Sequence, residues 1–186
     1  MLNQISILII SSAIKLFTIL VLLRLLLQIS RADFYNPLSQ FIVKVTNPLL
    51  KLFRRFIPGF WGFDFASLVL AIFIQSIGIF LLLYINGNIT PNISIYLLLG
   101  FIGVIELFLE IVFFIILIMV VISWVSPNSY HPAVLILRQI SEPIILPFRR
   151  ILPNIAGLDF SPMLALFIIH ILQTIILPGL RLSLFS

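Results

Sequence analysis

The chain contains no cysteine and only 9% charged residues, and these two shortages exclude a wide range of chemistry. Without a thiol there is no disulfide, no thiolate nucleophile and no cysteine-ligated zinc or iron–sulfur site. A soluble domain carries about 25% charged residues. Here 62% of the residues are hydrophobic and the mean hydropathy is +1.28, which places the chain in a bilayer.

The little charge present is unevenly placed. Apart from Lys15 and Arg181, every Lys and Arg lies between Arg24 and Arg55 or between Arg138 and Arg150. Clusters of this kind suit anionic headgroups. Nucleic acid is not expected as a partner, because no basic soluble domain or aromatic-studded groove accompanies the charge. The N-terminal run has no basic leading region, carries Lys15 inside its apolar stretch and offers no small-x-small cleavage site before Arg31. It is expected to stay attached as a first span.

Runs long enough to cross about 30 Å of hydrocarbon predict four helices, near residues 5–29, 65–85, 95–124 and 161–180. The second ends at Asn86-Gly87-Asn88, and Thr90-Pro91-Asn92 completes a short turn. The third is long for an upright span. It reads as one tilted helix, the alternative being a separate interfacial or re-entrant piece over 93–105. Ser161-Pro162 predicts a hydroxyl N-cap followed by proline at the first helical position.

The most informative feature is a duplication. Pro48, Phe53, Arg54, Arg55, Pro58, Gly62, Asp64 and Phe65 recur 95 residues later as Pro143, Phe148, Arg149, Arg150, Pro153, Gly157, Asp159 and Phe160. Each copy runs into an apolar stretch, so residues 1–90 and 91–186 read as two repeats of two spans each. The fold class expected is an all-α membrane protein with four transmembrane helices, arranged as two parallel tandem repeats. Each repeat has an amphipathic helical connection. The 30–64 and 125–160 connections hold most of the cations and the 86–94 turn holds none, so both connections are expected in the cytoplasm and both termini outside.

Within those connections Pro37 and Pro132 open one short helical piece, and Pro48 and Pro143 another, with Thr46-Asn47 and Ser141-Glu142 as N-cap sites. From 48 to 56, Lys51, Arg54 and Arg55 share one face by their i, i+3, i+4 spacing. That suits a helix lying among headgroups. Pro147 is expected to break the second copy.

The twin P-x4-F-R-R-x2-P-x3-G-x-D-F elements, Ser123-Trp124 at the end of the third span and the four-span layout resemble the YggT family of small bacterial membrane proteins, over nearly the whole chain. The resemblance implies a role in membrane-complex assembly, as for organellar relatives linked to haem attachment to cytochrome b and to nucleoid or division phenotypes. For bacterial members it implies tolerance of osmotic shock. It supplies no catalytic residue. The copies differ, with Ala66-Ser67 in place of Ser161-Pro162 and Leu52 in place of Pro147, so their roles need not be equal.

Two constellations are candidates for function. Lys51, Arg54, Arg55, Arg149 and Arg150 would hold lipid phosphates or an acidic partner loop, with Asp64 and Asp159 orienting the arginines by ion pairing. The plainer reading makes the arginines interface anchors and the aspartates favourable charges at helix N-termini. Gly62 and Gly157 would allow a turn that other residues would strain. The second constellation is intramembrane. Lys15 and Glu110 occupy equivalent positions, and a pair between them would offset a cost of about 2.5–3.5 kcal/mol for a lone central charge. Glu106 is one turn away on the same face. Such a group is either a proton- or cation-sensitive site or a packing pair. Arg24 is close enough to its span end to snorkel.

His131 and His170 lack partners at ligand spacing, so no metal or haem is expected, and His170 aligns with Gln75 as a polar packing position. Trp61, Trp124 and Tyr130 read as interfacial anchors. No nucleophile with a base and no phosphate loop is present, so no enzymatic activity and no cofactor are expected. The function expected is a bacterial inner-membrane protein supporting envelope homeostasis or membrane-complex assembly, with anionic lipid, a membrane-protein complex or further copies of itself as partners. The alternative is a component of a potassium or proton transport system that uses Lys15, Glu106 and Glu110.

Overall fold

A computed structural model describes residues 2–57, 63–87, 91–152 and 159–183. Pro58, Trp61, Gly62, Asn88, Thr90, Pro153 and Gly157 lie outside the described residues, and so do the readings that rest on them. The described chain is helical: α1 (Leu2–Ile29), α2 (Pro37–Phe56), α3 (Phe65–Ile85), α4 (Ile93–Val125), α5 (Pro132–Ile151), α6 (Ser161–Ile171), a π turn (Leu172–Ile176) and α7 (Leu177–Ser183). Four stretches, Gln4–Ile29, Phe65–Ile85, Ile93–Val125 and Ser161–Leu182, are long and apolar enough to span a membrane. The third is one continuous helix of 33 residues, with no separate piece at its start.

The chain divides into two compact units, one of residues 1–25 with 42–108 and one of residues 26–41 with 109–186. In the first, small residues let helices approach, since hydrophobic burial alone gives helices little reason to associate in lipid. A Cβ added at Gly100 of α4 would lie 2.1 Å from Ser76 Oγ and 2.9 Å from the Ser76 nitrogen of α3. One added at Gly78 would lie 2.9 Å from two Ile14 carbons of α1. Phe80 and Tyr96 meet edge to face at 5.5 Å, and Phe53 of α2 packs on Phe73 of α3. In the second unit, Arg31 adopts φ 51° just after α1. The turn that follows is tied to α5 by Asp33 N–H donating to Gln139 Oε1 at 2.9 Å and by Asn36 Nδ2 donating to the Pro132 carbonyl at 2.9 Å. α5 packs against α6.

Three local expectations are corrected. Each long connection holds one helix rather than two pieces, and α2 and α5 are offset by 95 residues at both ends. Pro48, Pro143 and Pro147 lie inside these helices, which continue through all three. Thr46 and Ser141 therefore cap nothing. Their hydroxyls bond back to the carbonyls of Ile42 (2.7 Å) and Arg138 (3.2 Å), as interior helical hydroxyls do. The start of α6 also differs, because Ser161 is not its N-cap. The Asp159 carboxylate accepts the Ser161 N–H at 2.9 Å instead. The π turn lies just before Pro178, whose missing N–H interrupts the regular ladder.

Candidate functional site

α2 buries Ser39, Ile42, Thr46 and Leu50 at i, i+3, i+4 spacing. Its opposite side exposes Lys44, Lys51 and Arg55 among Phe41, Leu52 and Phe56, a mixture suited to headgroups and upper acyl chains. The two arginines of the repeated pair are not equivalent. One helical residue turns the chain by about 100°, so Arg54 reaches Asp64 while Arg55, exposed like its neighbour, makes no such ion pair among the described residues.

The Asp64 side chain is 3% exposed and closes α3 at its start. Its carboxylate accepts Arg54 Nη2 at 2.5 Å, Ser67 Oγ at 2.7 Å and the Ser67 N–H at 3.4 Å. Burial opposes ionisation here, but the bonds from Arg54 and Ser67 and the Arg54 charge outweigh it and hold the acid below its ordinary range. Ion pairing and helix capping, which the sequence presents as alternatives, are both made by this one carboxylate. It fixes the end of α2 to the start of the span that follows.

The second copy repeats the link in a wetter setting. Arg149 Nε donates to Asp159 Oδ2 at 2.8 Å, and Asp159 in turn accepts the Ser161 N–H. Here the Asp159 side chain is 29% exposed. Burial opposes ionisation here too, but the bonds from Arg149 and Ser161 and the Arg149 charge together outweigh it and hold the acid below its ordinary range. Arg149 also pairs with Glu142, and Asp159 and Glu142 together hold its guanidinium above its ordinary range. Arg150, like Arg55, is exposed.

Arg24 does not snorkel. It is 6% exposed and turns into the first unit, donating to Thr46 Oγ1 at 2.8 Å, Asn47 Oδ1 at 2.9 Å and the Val43 carbonyl at 3.2 Å. A guanidinium with three acceptors need not reach water. Neither this network nor the Glu142 link is visible from charge spacing. The available signal was the register, which puts Met119 opposite Arg24 and Glu142 opposite Asn47.

Lys15 lies on an exposed part of α1, in the first unit. Glu106 and Glu110 are half-buried on α4, the former in the first unit and the latter in the second. His131 caps α5, its Nδ1 accepting the Ala133 N–H at 3.3 Å, and His170 is exposed on α6. Trp124 and Tyr130 are exposed near the end of α4. Among the described residues, no three His, Asp or Glu side chains cluster as a metal site.

A family model described as CCB3/YggT matches the chain twice, over residues 3–85 and 98–180, and both bounds shift by the same 95 residues as the repeated element. An uncharacterised protein of Pseudomonas aeruginosa is 46% identical over 180 residues, covering 96% of this chain and 91% of its own. The uncharacterised protein YggT of Escherichia coli K12 is 34% identical over 188 residues, covering 94% and 96%. A Vibrio alginolyticus protein, from the region 3′ of proC, is 39% identical over 160 residues, covering 86% and 85%. No solved structure matches the chain. With two matches to the family model and relatives aligned over nearly their whole length, the chain belongs to the CCB3/YggT family as a two-repeat, multi-pass membrane protein.

Proposed function

We propose that this is a non-enzymatic protein of the bacterial cytoplasmic membrane that uses its paired basic elements to hold anionic lipid or a membrane-complex subunit. In doing so it supports envelope homeostasis, including under osmotic stress. The observation that carries the reading is the division of labour in each Arg-Arg pair. All four arginines are exposed, but Arg54 and Arg149 are committed to Asp64 and Asp159, while Arg55 and Arg150 make no such ion pair among the described residues. Lys51 adds a further exposed cation beside Arg55. A generic basic anchor needs no aspartate ten residues away, whereas a presented one does, because the link orients the element on the foot of its span. Guanidinium forks then suit phosphate oxygens or carboxylates.

Both connections face the cytoplasm in this reading, as the positive-inside rule requires. The natural lack of cysteine allows a direct check with single introduced thiols. Asn92→Cys should react with an impermeant maleimide in intact cells, and Asn128→Cys only after permeabilisation. The reverse pattern overturns the orientation.

The role itself is tested by crosslinking in the native membrane, comparing wild type with R55Q/R150Q and with E110Q. A protein or anionic lipid lost only from R55Q/R150Q supports the scaffold reading. Unchanged capture by R55Q/R150Q, with ion flux altered by E110Q, rejects it in favour of transport through Lys15, Glu106 and Glu110.

A further inference from the structure

The 95-residue register gives each member of the Arg24 network a counterpart, and the counterparts line a groove. Arg24 corresponds to Met119, Val43 to Arg138, Thr46 to Ser141 and Asn47 to Glu142. All four second-copy residues border one groove of about 440 Å³ inside the second unit, together with Arg149 and Asp159. In the first copy, the equivalent acceptors are met by a guanidinium on an apolar stem. In the second copy a thioether stands at that register, while the acceptor side has become more acidic, a carboxylate replacing the Asn47 amide. The Ser141 hydroxyl is kept, at 2% exposure.

The remaining lining fixes the kind of ligand. Glu142 and Asp159 share Arg149, which leaves one formal negative charge among the three. Arg149 meets Glu142 through Oε1, and a carboxylate offers about four lone-pair sites over two oxygens. Arg138, whose guanidinium donates to the Pro127 carbonyl at 3.1 Å, borders the same groove and can face an anion. Ile116, Val120 and Met163 supply an apolar wall. The groove lies where α4 ends and α6 begins, at the end of two spans, where a lipid headgroup sits. The closing carbonyls of α4 also favour a cation there.

We propose that this groove is a headgroup site for an aminophospholipid. Its primary ammonium takes the place that the Arg24 guanidinium holds in the first copy, donating to Glu142 and Ser141. Its phosphate turns to Arg138 and its chains follow Ile116, Met119 and Val120. The site reads a cationic group in a groove, whereas the exposed Arg55 and Arg150 read anionic surfaces, so it does not rest on the scaffold reading.

Native mass spectrometry of the delipidated full-length protein, titrated with ethanolamine, choline and glycerol phospholipids of identical chains, tests it. The ethanolamine lipid should bind at least tenfold more tightly than the choline lipid, whose quaternary ammonium has no N–H to donate. Met119→Arg supplies the missing guanidinium from within and should abolish that preference. Glu142→Gln should weaken it at least fivefold and carries the same test should Met119→Arg not fold. Displacement of the lipid by millimolar ethanolammonium would show that a free amine suffices, and resistance that the phosphate and chains are needed. Equal binding of all three lipids, or a preference unchanged by both groove substitutions, overturns the proposal.

Discussion

Replacing Asp64 with Asn separates charge from capping, because Asn is as good an N-cap as Asp and can still receive the Ser67 N–H. What is lost is the ionic bond to Arg54, 2.5 Å long, on a side chain only 3% exposed. Breaking one side of a buried pair costs about 3–5 kcal/mol. Arg54 is 43% exposed, however, and water compensates part of the loss, which brings the expectation to about 2–3 kcal/mol. The same change at Asp159, where both partners are partly solvated, should cost about 0.5–1 kcal/mol. Denaturant unfolding of the detergent-solubilised protein, with D64N, R54Q and the double variant closing a cycle, measures the coupling directly. The parallel cycle is D159N with R149Q. Equal costs at the two aspartates, or no coupling between Arg54 and Asp64, would refute the argument that burial makes the first link the stronger.

Other outcomes follow from the same geometry. Both aspartates have acidity strengthened in the fold, so their stabilisation is complete above their unfolded pKa of about 4 and is lost as pH falls through the depressed folded values. A thermal-unfolding series should therefore be flat down to about pH 5 and fall below it, with D64N removing most of the slope. Gly100→Ala puts a methyl against Ser76, including its backbone nitrogen at 2.9 Å, and should destabilise by about 1–3 kcal/mol in the same unfolding assay. Arg24→Met, which gives the first copy the residue of the second, removes the donor to Thr46 Oγ1 and Asn47 Oδ1 and should cost about 1–3 kcal/mol.

The parts of the fold legible in the sequence are those set by length and by repetition. Apolar runs long enough for the bilayer mark the four spans, and the retained spacing of Arg54 to Asp64 and Arg149 to Asp159 marks what must come together. Proline misled the reading of the connections. Pro48 and Pro143 look like helix starts, yet the helices carry on through them while Thr46 and Ser141 bond to preceding carbonyls. Arg24 was misread because its distance from the span end describes an isolated helix in lipid, whereas its acceptors come from α2, about twenty residues further along the chain. The unequal roles of Arg54 and Arg55 are invisible as long as the pair is treated as one basic motif, and emerge only when their different faces on α2 are considered.

The central claim is that Arg55 and Arg150 hold anionic partners while their neighbours Arg54 and Arg149 are committed to aspartates. The most direct measurement is the lipid retained by wild-type protein and by R55Q/R150Q, extracted gently from the same membrane and quantified by mass spectrometry. Anionic lipid enriched on the wild type and reduced to its bulk proportion on the variant, with unchanged thermal stability, is the predicted result. Equal enrichment on both proteins would contradict it and leave the exposed arginines as membrane anchors.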